Sequence, residues 1–299
     1  MKADERIERA LEQALNAGIG PSTPPLLAKA LRHAVVGGSR LRPRLVMAVA
    51  EACDRPVDPV VEAAAVAIEM LHCASLIHDD LPSFDDALMR RGRPSVHSVF
   101  GPQIAILAGD GLIVAAFEAL ARGCAEQPER LGPLTLALGQ GVGVAKGLVA
   151  GQAWESERSV DLGTYHDAKT GALFEAAMRV GAIVADQPPE PWAEVGRMLG
   201  QAYQIADDIG DASGSGASLG KPVGQDTRFG RPSAARTMGL RGAQTRLAEL
   251  CRQLPEIIPA CPGRPRLRVS MERLCARIVP TPVVALPHRD TEPLLEATA

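Results

Sequence analysis

Residues 57–81 read VDPVVEAAAVAIEMLHCASLIHDDL, an apolar stretch that ends on acid. Apolar side chains fall on all sides of the helix this spells, so the helix must be enclosed by other elements. Asp79 and Asp80 stand at its C-terminal end. Pro82 stops it, having no N–H and a ring that clashes with the carbonyl four residues back. Asp85 and Asp86 follow at once. A helix C-terminus already carries partial negative charge, so four carboxylates there repel one another and the helix dipole. Such a chain needs a large envelope around the apolar run and something cationic at its acidic end. A solvated, self-paired helix end is the plain alternative.

The envelope is expected to be helical. Aromatics are 3% of the chain and few segments alternate apolar and polar with period two, which disfavours sheets. Helical patterns cover 1–18, 23–36, 40–53, 102–123, 130–151, 165–185, 190–211 and 232–253. Gly37-Gly38 is a plausible helix stop. No internal repeat or interdomain linker appears. The expectation is therefore an all-α fold, a single large helical bundle over 1–299, with a poorly defined tail after about residue 280. Gly210–Gly220, GDASGSGASLG, reads as a loop and as a mobile cover.

Hydrophobic residues are 46%, enough for a sizeable core, and 22% are charged, so the composition is not that of a disordered chain. The net charge of −3 gives no basic excess for a nucleic-acid partner. The six cysteines form no CxxC pair and read as reduced thiols of a cytoplasmic protein. The charged, amphipathic start is not a signal peptide. No uncharged apolar run reaches ~18 residues, so no membrane span is expected.

A second acidic unit lies in GQAYQIADDIGD. Gln204, Asp207, Asp208 and Asp211 fall at i, i+3, i+4 and i+7, one stripe of a helix. That stripe alone would also suit a face turned to water. Each acidic unit, however, is followed by cations: Arg90, Arg91 and Arg93 after the first, Lys221 and Arg231 after the second. Carboxylates hold magnesium together with phosphate oxygens, and guanidinium groups bind phosphate bidentately. Two such units in one apolar helical chain point to a metal-bound diphosphate with an apolar tail. The chemistry implied is ionisation of an allylic diphosphate.

These residues match a known family. HDDLPSFDDALMRRGRPSVH at 78–97 and QIADDIGD at 204–211 resemble the two aspartate-rich motifs of the trans-isoprenyl diphosphate synthases. GGSRLRP at 37–43, GQAWESE at 151–157, YHDAKTGALF at 165–174 and LGKPVGQD at 219–226 resemble further blocks of that family in the same order. The resemblance covers about residues 5–280. It is strongest to the geranylgeranyl diphosphate synthases of bacterial carotenoid and bacteriochlorophyll pathways.

The resemblance implies an all-α bundle around a deep central cavity, usually a homodimer. It implies several Mg2+ ions per site, with Mn2+ able to substitute, and isopentenyl diphosphate and allylic diphosphates as substrates. The catalytic set it implies is Asp79, Asp80, Asp85, Asp207, Asp208, Asp211, Lys169 and Lys221. Of these, Asp79, Asp85, Asp207 and Asp211 are the implied metal ligands. Arg90, Lys169, Lys221 and Arg231 match contacts to the allylic diphosphate, and Thr170 and Gln204 match polar contacts nearby. Arg42, His72 and Arg91 match the isopentenyl diphosphate site. His72 lies two turns before Asp79 on the same face. Without the motif it would read as a core histidine.

Two features depart from the family. Ser39 stands where GGKR usually has Lys, the loss of one charged hydrogen bond worth roughly 1.5–3 kcal/mol. Arg40, Arg42 and Arg44 are the nearest cations to take its place. The end, LLEATA, lacks the basic tail of many members. Ala74 and Ser75, one turn below Asp79, are small where farnesyl-forming relatives carry an aromatic. That implies a C20 product, with farnesyl diphosphate (C15) as the alternative and close helix packing as the plain reading.

Three rival functions are weaker. A terpene cyclase steers cations with aromatic faces, and this chain has few. A non-catalytic partner subunit of a heteromeric prenyltransferase would typically have lost its aspartates. A helical metal phosphohydrolase using His78 and Asp79 leaves the second acidic unit unexplained.

Overall fold

In a computed structural model the described residues are 3–213 and 233–279. Their helices are α1 (Ala3–Gly18), α2 (Pro25–Val35), α3 (Leu41–Ala52), α4 (Pro59–Asp79), α5 (Val96–Phe100), α6 (Pro102–Gly123), α7 (Leu131–Val142), α8 (Leu148–Trp154), α9 (Leu162–His166), α10 (Ala172–Val184), α11 (Pro189–Ser213), α12 (Ala234–Gln253) and α13 (Arg264–Ile278). A two-residue hairpin, β1 (Met89–Arg90) with β2 (Arg93–Pro94), is the only sheet among the described residues. The fold is all-α.

α4 is the axis. It starts on a proper cap: Asp58 accepts from Val61 N at 3.1 Å, and Pro59 fills the first turn, where no N–H is needed. Val61, Ala65, Ile68, Met70 and Leu71 point in different directions, yet each is at most 2% exposed. α6 packs along most of α4, with α1, α3 and α10 completing the enclosure. α10 also packs on α7 and α11, and α11 on α12. Full burial of one such Leu or Ile contributes about 1.5–3 kcal/mol, so α4 is a main source of cohesion. α4 and α6 are both long and apolar enough on average to cross a membrane. α4 nonetheless carries three acids, Glu62, Glu69 and Asp79, and is covered by protein, while α6 carries Asp110 and Glu118.

Several sequence-based boundaries are corrected. The pattern over 130–151 is two helices, α7 and α8. Glycines 139, 141, 143 and 147 weaken it, and Gly143 and Gly147 take extended backbone angles. The pattern over 165–185 is interrupted by a π-turn at Asp167–Gly171. Residues 210–213 of the expected loop are still helical, and α12 kinks at Gly239, with φ 73°. α13 was not foreseen: five arginines mask a narrow apolar stripe of Leu267, Met271 and Cys275. The remainder of the glycine-rich stretch, together with Lys221, Arg231 and the tail after 280, lies outside the described residues.

Candidate active site

The chain folds back as soon as α4 ends. Asp85 N donates to Asp79 O at 3.0 Å, Asp86 N to Leu81 O at 3.1 Å and Ala87 N to Asp80 O at 3.1 Å. Asp85 is thereby returned beside Asp79. The hairpin then brings Arg90 onto the same acids: its Nε donates to Asp80 Oδ1 at 2.7 Å, and its Nη2 lies 3.6 Å from Asp79 Oδ2. Asp80 is 2% exposed, and burial pushes its carboxyl up to about 6 against the opposing hydrogen bonds and charge of Arg90. Asp80 is thus engaged with Arg90, in a position that suits orienting it. Arg90 keeps a buried Nη1 with no hydrogen-bond partner among the described residues, a donor free for an anion.

The second acidic cluster reaches the first through the π-turn. Such turns carry one extra residue and recur at functional sites. Lys169 pairs with Glu155 and stands 3.6 Å from Asp79 Oδ1. Tyr165 also donates to Glu155, at 2.6 Å. Thr170 Oγ1 donates to Gln204 Oε1, and Gln204 Nε2 donates to Asp208 Oδ1 at 2.8 Å. α8 can approach the π-turn closely only because residue 151 is glycine: a Cβ there would lie 2.4 Å from Lys169 Cα.

Asp208 is likewise engaged inside the fold. It is 2% exposed, and its Oδ2 accepts from Ala234 N at 2.6 Å and lies 3.3 Å from His166 Nε2. It anchors the start of α12 to α11. Asp207 and Asp211, half-buried on the same helix, are the carboxylates of this cluster that remain near the surface.

A cationic group lies across α4. The turn over 37–40 is built from left-handed residues, Gly37 (φ 77°), Gly38 (φ 97°) and Arg40 (φ 51°). Gly38 lies directly against the Arg91 guanidinium, where a Cβ would come within 2.5 Å of Cζ. Arg91 donates to Gly37 O at 3.1 Å and lies 3.7 Å from Glu69 Oε1. Arg42 stacks 4.5 Å over the Phe174 ring, its Nε buried and unpartnered among the described residues; burial lowers its pKa against the pull of Glu69. His72 is half-buried on α4.

Arg40 does not join this group. It is 3% exposed and holds Glu69 at 2.7 Å, Glu8 at 2.6 Å and Val35 O at 2.5 Å, so its donors are already committed inside the fold. Ala74 is 1% exposed, and the Ser75 hydroxyl turns back to His72 O at 2.8 Å.

Glu155, Tyr165, Glu69 and His166 escaped sequence reading. Glu69 had a signal, a lone acid inside an otherwise apolar run. Glu155 and Tyr165 lie inside the blocks GQAWESE and YHDAKTGALF, but the irregular turn between them gives no periodic spacing that would pair them.

No group of three or more His, Cys, Asp or Glu forms a ready cation cage among the described residues. The donor set still fits magnesium, which binds through one or two carboxylates plus substrate oxygens. Asp79 beside Asp85, with Asp207 and Asp211 across the π-turn, offers hard oxygen donors of that kind.

A family model described as polyprenyl synthetase matches residues 24–258. The chain is 49% identical to a geranylgeranyl diphosphate synthase of Cereibacter sphaeroides, over 95% of this chain and 99% of that protein. It is 47% identical to one of Rhodobacter capsulatus, with the same coverage. Its fold is similar to a geranyltransferase from Helicobacter pylori complexed with magnesium and isoprenyl diphosphate. That likeness has a TM-score of 0.78 and 26% identity, and it covers 92% of this chain and 96% of the other.

Proposed function

The chain belongs to the polyprenyl synthetase family, and from that premise we propose that it is a magnesium-dependent prenyltransferase making geranylgeranyl diphosphate. It joins isopentenyl diphosphate to an allylic diphosphate. The observation that carries this reading is the link between the two acidic clusters through Lys169 and Thr170.

Asp79, Asp85, Asp207 and Asp211 would hold the magnesium ions. Bound there, magnesium supplies charge neutralisation for the departing diphosphate. Manganese, which takes similar oxygen ligands, is expected to substitute. Arg90 and Lys169 hold the allylic diphosphate, and family resemblance adds Lys221 and Arg231. Thr170 and Gln204 fix its position, while Arg42, Arg91 and His72 receive isopentenyl diphosphate. The allylic C–O bond breaks, the double bond of isopentenyl diphosphate adds to the cation, and loss of a proton restores an alkene. The apolar walls keep water from the cation.

The small Ala74 and Ser75 support a C20 product over C15. The test is to incubate the protein with magnesium, labelled isopentenyl diphosphate and, separately, dimethylallyl, geranyl or farnesyl diphosphate, and to size the dephosphorylated products. Mainly C20 product supports the whole reading. C15 product keeps the enzyme class and removes the argument from Ala74. No product with any starter turns the reading to a partner-dependent subunit.

The chain is one isoprenoid-synthase domain working as a cytoplasmic homodimer in carotenoid or bacteriochlorophyll synthesis. The outer face of α6 supports pairing: Ile106, Leu107 and Val114 are 46%, 52% and 58% exposed along it. Sedimentation of the natural protein and of Leu107→Glu tests this. A natural protein that sediments as a monomer removes the dimer.

A further inference from the structure

Two cations flank Asp79, and each stops short of it. Arg90 Nη2 stands 3.6 Å from Asp79 Oδ2, and Lys169 Nζ stands 3.6 Å from Asp79 Oδ1. Both separations exceed a hydrogen bond. In each case a second carboxylate takes the cation at close range. Asp80 takes Arg90, and Glu155 takes Lys169.

The Glu155 side is assembled from three elements. Glu155 is the C-cap residue of α8, Tyr165 is buried on α9, and Lys169 stands in the π-turn. α9 starts on a capped turn, with Asp161 Oδ2 accepting from Thr164 N at 2.9 Å, which fixes the backbone that carries Tyr165. The Tyr165 hydroxyl donates to Glu155 Oε1 at 2.6 Å, the same oxygen that takes Lys169. The Tyr165 ring centroid lies 5.9 Å from Lys169 Nζ, within the range of a cation–π contact. Ring, hydroxyl and carboxylate thus gather around one ammonium group.

We propose that Glu155 and Tyr165 are positioning residues that tether Lys169 beside Asp79 but off it, so that the ammonium group does not compete with magnesium for Asp79 Oδ1. The inference rests on the reading of Asp79 as a magnesium ligand. A lysine ammonium is a compact charge on a flexible four-carbon stem. Released from Glu155, it would close the remaining gap and pair with Asp79. Magnesium would then have to displace it, and the apparent affinity falls by the fraction of protein in which Asp79 is so paired. Glu155 also balances the charge of Lys169, so that a cation can stand beside a bound dication. Lys169 has three donors, so one can stay on Glu155 while another turns to a diphosphate oxygen.

The test reads metal binding without turnover. Full-length protein is melted across a magnesium series at fixed, saturating inorganic diphosphate, and the rise in Tm gives the half-saturating magnesium concentration. Glu155→Gln keeps the shape and removes the charge, and should raise that concentration about tenfold. Tyr165→Phe loosens the tether without removing it, and should give a smaller shift in the same direction. Adding Lys169→Gln to Glu155→Gln should bring the value back toward that of the natural protein, because the competing cation is gone. A magnesium ligand or a merely structural acid at position 155 would show no such recovery, and that result overturns the proposal. An unchanged magnesium response in Glu155→Gln overturns it as well. If Glu155→Gln does not fold, Tyr165→Phe with and without Lys169→Gln gives the same comparison. A natural protein whose Tm ignores magnesium in the presence of diphosphate would remove the metal reading itself, and the tether with it.

Discussion

Lys169 and Thr170 are neighbours in one π-turn, yet their side chains reach different acidic clusters. Lys169 Nζ stands 3.6 Å from Asp79 Oδ1, while Thr170 Oγ1 donates to Gln204. Both clusters therefore share one short backbone segment. Lys169→Ala is expected to lower kcat by about 10²-fold or more, because a cation is lost where diphosphate charge develops. Steady-state kinetics beside far-UV circular dichroism checks this; near-normal turnover would remove Lys169 from the site.

The second cluster separates two adjacent aspartates by role. Asp207→Ala should cut kcat by orders of magnitude and leave Tm nearly unchanged. Asp208→Ala should cost about 1–3 kcal/mol of stability, since Gln204 and the Ala234 N–H lose a buried acceptor. Thermal melts and kinetics on both variants decide it. Equal effects on Tm would contradict the division.

Ala74 makes a sharper demand than its size suggests. At 1% exposure it has no open space beside it in the fold as described. Ala74→Phe is therefore expected to shorten the product and also to cost about 1–3 kcal/mol through overpacking. Product sizing and a denaturant melt read the two effects separately, and an unchanged product length would show that the tail runs elsewhere.

Much of this was legible in the chain itself. The apolar run into Asp79 and Asp80 dictated an enclosed helix, and period 3.6 located most of its neighbours. The two acidic units with their cations marked the site. What could not be read was which acid of each pair faces inward. Asp80 and Asp208 look like their neighbours in sequence, and only the returning hairpin and the start of α12 show that their oxygens are already engaged. The π-turn was hidden because one extra residue leaves no mark on a periodic pattern. α13 was hidden because its apolar stripe is narrow.

Cys73 gives a pH dependence. Burial, with the nearby Glu69 carboxylate, pushes its thiol up to about 11 from the ordinary 9.0. As pH rises the unfolded chain loses this proton first, so the contribution to stability is fully present below about 9 and is lost as pH climbs through 11. About 2 kcal/mol should disappear over that window. Cys73→Ser should flatten the slope in denaturant melts at pH 8, 9, 10 and 11; an unchanged slope would assign the loss to other groups.

Ser39 sets the last expectation. It is exposed, between Gly38, which lies against Arg91, and Arg40, which is locked to Glu8 and Glu69. Arg40 cannot turn outward without giving up its ion pairs with Glu8 and the buried Glu69, which would keep only the longer contact to Arg91, and breaking a buried pair costs about 3–5 kcal/mol. The cation missing at position 39 is therefore not replaced from position 40, and Arg44 is paired with both oxygens of Asp4, which leaves Arg42 and Arg91. Ser39 has no left-handed backbone to strain a larger residue. Ser39→Lys should lower KM for isopentenyl diphosphate by about tenfold or more, the value of one charged hydrogen bond. Ser39→Gln, long but neutral, should do far less. The same KM in all three proteins would mean that Arg42 and Arg91 already saturate that diphosphate.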